Sequence, residues 1–119
     1  MRRVVVTALG LATPLATGVE ETWSRLLDGQ SGAGPITLFD AEASGVTTTY
    51  ACEVPRGDGS EGTFNPDDWA IKKDQKKIDD FILYGMAAAD MAVRDAGWMP
   101  EDTESLERTG VMIGSGIGG

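Results

Sequence analysis

The chain has 119 residues, 41% of them hydrophobic, which is enough for one small core. Its net charge of -9 repels phosphate backbones and argues against nucleic-acid binding. One cysteine, Cys52, and no histidine leave no internal disulfide, no zinc site and no Ser-His or Cys-His nucleophilic pair, and a reducing cytoplasm fits best.

In chain order, Arg3 to Ala8 reads as a strand in the middle of a sheet. It is a continuous apolar run, and a sheet covered on both faces produces such runs. Met1-Arg2-Arg3 ahead of it has the outline of a secretion signal, but Val4-Val5-Val6 favours a strand, and Gly10 and Pro14 break the run. No stretch reaches membrane-spanning length, so no membrane partner is expected.

Thr17-Gly18-Val19-Glu20 has the spacing of a capping box. Val19, Trp23, Leu26 and Leu27 then share one helical face, and Gly29 stops the helix. From Gly32 to about Asp68 the pattern is irregular, with glycines, prolines and short apolar islands such as Tyr50 to Val54. A connection of that length is expected to be a functional surface loop or to lie against further protein. Within it, Cys52 reads as a small buried hydrophobe and not as a nucleophile.

Helix returns near Trp69 and runs from Asp79 to Ala96, opening on Asp79 and Asp80 and closing at Gly97. Gly85, Ala87, Ala88, Ala89 and Ala92 allow close backbone approach, and the helix is expected to be buried on most sides. Glu101 to Glu107 reads as a solvated turn. Gly110 to Gly114 reads as a second buried strand, so that strand, helix, helix, strand implies a right-handed crossover and parallel pairing in an α/β fold.

Two constellations bear on function. Gly114-Ser115-Gly116-Ile117-Gly118-Gly119 matches G-x-G-x-x-G after a strand, but a dinucleotide site also needs a following helix and a distal acidic residue. On spacing alone a tight turn or close backbone approach is the simpler reading, and no cofactor is expected. Lys72-Lys73-Asp74-Gln75-Lys76-Lys77 carries +3 in a chain of net charge -9. In a helix its four lysines form one positive face suited to an acidic partner, against the alternative of a solvated helix end neutralised by Asp67, Asp68, Asp79 and Asp80.

Arg2 to Gly10, Leu26 to Gly32, Lys76 to Phe81 with Tyr84-Gly85, and Gly114 to Gly119 together resemble the β-ketoacyl-acyl-carrier-protein synthase II family, colinearly across the chain. The resemblance implies a thiolase-like fold of layered helices and sheets, with residues 1–119 as the first part of the N-terminal half. It implies an acyltransferase of fatty-acid biosynthesis, a cytoplasmic homodimer that condenses malonyl-ACP with an acyl-enzyme by decarboxylation. The nucleophilic cysteine and two histidines would lie beyond Gly119, so this chain holds no catalytic residue and is expected to be inactive alone. It also implies that Ile117 and Gly116 line the acyl pocket and that Lys73, Lys76 and Lys77 meet the acyl carrier protein. A glycine-rich stretch from Arg56 to Thr63 departs from the family pattern as a lengthened surface loop. A polyketide-type or chain-length-factor relative, and a non-catalytic carrier-docking fragment, are the alternatives.

Overall fold

The computed structural model describes residues 1–116. It contains two compact units, one of Leu11–Asn65 and one of Met1–Gly10 with the chain from Pro66 onward.

In the first unit, α1 spans Val19–Leu27, with Glu20 and Glu21 in its first turn and Arg25 in its last, the arrangement its dipole favours. Gly29, at φ 71°, closes it. The Gly29 N–H reaches the Leu26 carbonyl at 3.1 Å and the Gln30 N–H the Arg25 carbonyl at 3.0 Å, a Schellman ending. The expected capping box does not form. Gly18 is the N-cap and no side chain caps the helix. Thr17 is held one position earlier by its N–H bond to the Gly62 carbonyl at 2.7 Å and by an antiparallel bridge to Ala12.

The face α1 turns inward is polar. Thr22 is buried and donates to the Ala16 carbonyl, and Arg25 donates to the carbonyls of Leu15 and Glu61. Trp23 is 55% and Leu27 68% exposed, so the apolar stripe read from the sequence exists but lies uncovered.

Residues 32–65 are more ordered than the sequence suggests. β1 (Ala33–Pro35) pairs antiparallel with β2 (Tyr50–Cys52), Ala33 opposite Cys52 and Pro35 opposite Tyr50. Alternation along β2 points Ala51 inward and Tyr50 and Cys52 outward, which corrects the buried reading of Cys52. The glycine-rich stretch is an ordered surface turn. The Phe64 N–H bonds the Pro55 carbonyl and the Gly57 N–H bonds the Phe64 carbonyl, closing a loop beneath which the Phe64 side chain is fully buried.

In the second unit, α2 spans Lys72–Gln75, α3 Asp80–Ala96 and α4 Thr103–Glu107. α3 agrees with its expected range to one residue and ends on Gly97 in the left-handed conformation. Only Leu83 and Ala87 of α3 are buried, whereas Phe81, Ile82, Met86 and Val93 are exposed, so burial on most sides is not observed. The acidic stretch forms α4 instead of a turn, because the Asp102 carboxylate accepts the Ser105 N–H at 2.8 Å and caps it.

Neither expected apolar strand forms. Residues 3–8 and 110–114 are unpaired, with Val4 96% and Met112 99% exposed. The sheet of β1 and β2 is the only one among the described residues, and it is antiparallel, not the parallel pairing expected. A strand exists only through its neighbour's hydrogen bonds, and these two runs have none here. The N-terminal run is instead anchored at its end. The Leu9 N–H donates to the Asp95 carboxylate at 3.0 Å, and Gly10 lies on the Ala88–Ala92 backbone of α3, the close approach that the small residues of α3 predict. Among the described residues, no helix is long and apolar enough to cross a membrane.

Candidate functional site

The lysine cluster sits on α2 and the turn that follows it. α2 is short because the chain must return to the extended backbone of Asp79 before α3 begins. Gln75 ties α2 down: its amide donates to the Ala70 carbonyl at 2.6 Å and to Asp67 Oδ1 at 2.9 Å. Asp67 Oδ2 lies 3.6 Å from Lys72 Nζ, and Asp74 Oδ1 lies 3.6 Å from Lys77 Nζ. The Gln75 hydrogen bond, with the Lys72 charge beside it, holds the Asp67 carboxyl below the usual carboxylate range.

All four lysines are exposed. Among the described residues, Lys73 and Lys76 have no carboxylate within ion-pairing distance, while Lys72 and Lys77 are engaged. The helical face expected from the sequence is therefore divided, with two cations partnered inside the patch and two presented to solvent.

The second feature is an apolar groove of about 530 Å³ between α3 and residues 113–115, lined by Phe81, Ile82, Tyr84, Met86, Ala89 and Ile113. Its walls are hydrocarbon and aromatic, so it offers burial to an apolar group and little polar recognition. Gly116 stands just past its rim, with the Ser115 hydroxyl donating to the Gly116 carbonyl at 3.3 Å. A side chain added at Gly110, Gly114 or Gly116 would meet no atom within 4 Å. The close approach expected at these glycines is not present among the described residues, and Ile117 lies outside them.

Cys52 is exposed at the end of β2, and the chain has no histidine to act as its base. No group of three or more thiols or carboxylates among the described residues is arranged to hold a metal. The site chemistry here is that of binding: a cationic patch and an apolar groove on the same unit.

Two acidic clamps were not read from the sequence. Asp67 and Gln75 are eight positions apart, a spacing that matches no local motif. Glu53, just past β2, accepts the N–H groups of Thr37 and Leu38 and, at 2.6 Å, the Thr37 hydroxyl. Asp74, between the lysines, does carry a local signal, since i and i+3 are neighbours on a helix.

Residues 1–119 match the family described as the beta-ketoacyl synthase N-terminal domain. The chain belongs to that family. Its fold is accordingly thiolase-like: over 82% of its length it superposes on a solved ketosynthase/chain length factor, that of ishigamide, with a TM-score of 0.66 and 42% identity. It is 55% identical over all 119 residues to 3-oxoacyl-[acyl-carrier-protein] synthase 2 of Rhizobium meliloti. It is 46% identical to the mitochondrial 3-oxoacyl-[acyl-carrier-protein] synthase of Arabidopsis thaliana, over 98% of its length. The chain spans 28% and 27% of those two relatives and 22% of the solved chain.

Proposed function

We propose that this chain is the N-terminal part of a 3-oxoacyl-acyl-carrier-protein synthase of fatty-acid elongation. The enzyme transfers an acyl group from its carrier to a cysteine thiol with release of the free carrier. It then decarboxylates malonyl-ACP and joins the resulting carbanion to the thioester, giving 3-oxoacyl-ACP and CO2. The nucleophilic cysteine and two histidines belong to the remainder of the protein, and residues 1–119 supply binding surfaces. The observation that carries this reading is the 55% identity, across the whole chain, to a 3-oxoacyl-ACP synthase 2.

In this reading Lys73, Lys76 and Lys77 meet the acidic carrier protein, which the exposure of all three supports. Clustered cations on an acidic body direct an anionic partner to one face. Gly116 and Ile117 form part of the acyl-pocket wall, and the full protein acts as a cytoplasmic homodimer without a cofactor. The test is a condensation assay of the full-length protein with acyl-ACP and malonyl-ACP. A product two carbons longer, with one CO2 released per turnover, supports the reading, and no CO2 release refutes it.

The likeness to a ketosynthase/chain length factor favours a second reading, a polyketide-type relative. A chain-length-factor subunit would condense only when a partner ketosynthase is added, and a polyketide ketosynthase would return unreduced multi-keto products. A protein that binds carrier but never condenses would be a docking module.

A further inference from the structure

We infer that Asp74 is a built-in competitor for the docking patch: its carboxylate occupies Lys77 and sets how tightly an acidic protein partner binds. The inference rests on the carrier-docking reading above and goes beyond it, because it assigns a role to an acidic residue inside the basic cluster.

The Asp74 carboxylate is 3.6 Å from Lys77 Nζ, and both side chains are more than half exposed. An incoming carboxylate or phosphate at Lys77 meets the Asp74 charge already beside it and competes with it for the same ammonium group. Lys72 faces a better-fixed carboxylate. Asp67 faces it at 3.6 Å and is itself fixed by the Gln75 amide at 2.9 Å, a clamp that also closes α2 on the preceding turn. Among the described residues Asp74 has no such second partner and is the releasable one of the two.

Lys73 and Lys76 complete the picture. Three positions apart across the end of α2, they are neighbours on one surface, exposed and with no carboxylate in range among the described residues. They are the standing attraction for the partner, Lys77 is a conditional one, and Lys72 is exposed but faces the fixed Asp67 carboxylate. An exposed ion pair is weak, so the competition modulates affinity without abolishing it.

The experiment measures the dissociation constant of acyl-ACP for the full-length protein by calorimetry at low and high salt. Asp74→Asn, which removes the competitor but keeps the shape, should tighten binding by about two- to five-fold at low salt and lose that gain at high salt. Glu104→Gln, which makes the same charge change on α4, should leave binding unaltered. Equal tightening by Glu104→Gln overturns the inference in favour of net charge, and no tightening by Asp74→Asn overturns it outright. The double change Lys73→Glu with Lys76→Glu separates the two levels. If it weakens binding while Asp74→Asn is silent, docking stands and the competition fails. If it too is silent, the docking reading itself is refuted.

Discussion

Replacing Gly10 with alanine should destabilise the protein far more than a single methyl group suggests. A Cβ at this position would overlap the Ala88 carbonyl oxygen of α3 and stand 2.8 Å from the Ala92 nitrogen and 2.9 Å from the Ala88 carbonyl carbon. All three are backbone atoms of a regular helix, so no rotamer change relieves the overlap and the N-terminal run must lift. Overpacking of this kind typically costs about 1–3 kcal/mol. Lifting also breaks the bond from the Leu9 N–H to Asp95, worth about 1 kcal/mol. The expected loss is therefore about 2–4 kcal/mol, read as a lower urea midpoint at unchanged slope in the full-length protein. Faster hydrogen exchange in residues 3–10 should accompany it. Adding Ala88→Gly should not rescue the variant, because the obstructing atoms belong to the backbone. A loss below about 0.5 kcal/mol, or full rescue by Ala88→Gly, would refute the packing argument.

Changing Lys73, Lys76 and Lys77 together to glutamate should raise the apparent KM for acyl-ACP by at least about ten-fold at low salt and flatten its salt dependence, and unchanged kinetics reject the docking patch. Ile117→Phe should shift preference toward shorter acyl primers with folding largely intact, and an unaltered product profile removes Ile117 from the pocket. Phe64→Ala empties a fully buried site and should destabilise by about 3–5 kcal/mol in thermal or urea unfolding. The Thr37 hydroxyl first, and the Thr37 and Leu38 N–H groups with it, lower the Glu53 pKa in the folded state. A depressed folded pKa gives stabilisation that is present above the ordinary glutamate value and lost as pH falls through the folded one. Exchange of the Thr37 and Leu38 amides should therefore quicken, relative to a Glu53→Ala variant in which both acceptor oxygens are gone, only below the ordinary carboxylate range. Equal pH response in the two proteins refutes the clamp.

What could be read from the sequence was local. The ends of α1 and α3 were legible because Gly29 and Gly97 each supply the left-handed residue that a helix ending needs within a few positions. The small residues of α3 announced a close approach, which Gly10 makes. The capping box failed because Thr17 has a distant partner, the Gly62 carbonyl, that no spacing rule reveals. The Glu53–Thr37 clamp was invisible for the same reason, and the nearer Gln75–Asp67 contact because a separation of eight matches no helical or turn spacing.

The strands at 3–8 and 110–114 were the largest departure, and their failure bears on the candidate site. A helix satisfies its own backbone, so α2 and α3 form from their own residues. An apolar strand requires a neighbour on each side, and the two runs lie exposed where no neighbour is present. The basic patch belongs to the first class: Lys72 to Lys77, Asp67 and Gln75 are placed by contacts within about ten residues of chain. The proposed acyl-pocket wall belongs to the second, because Gly116 follows directly on an unpaired run. The proposed docking surface is therefore the part of the proposed function that this segment places with its own local contacts. Charge variants of the patch should change affinity for an acidic partner with little effect on stability.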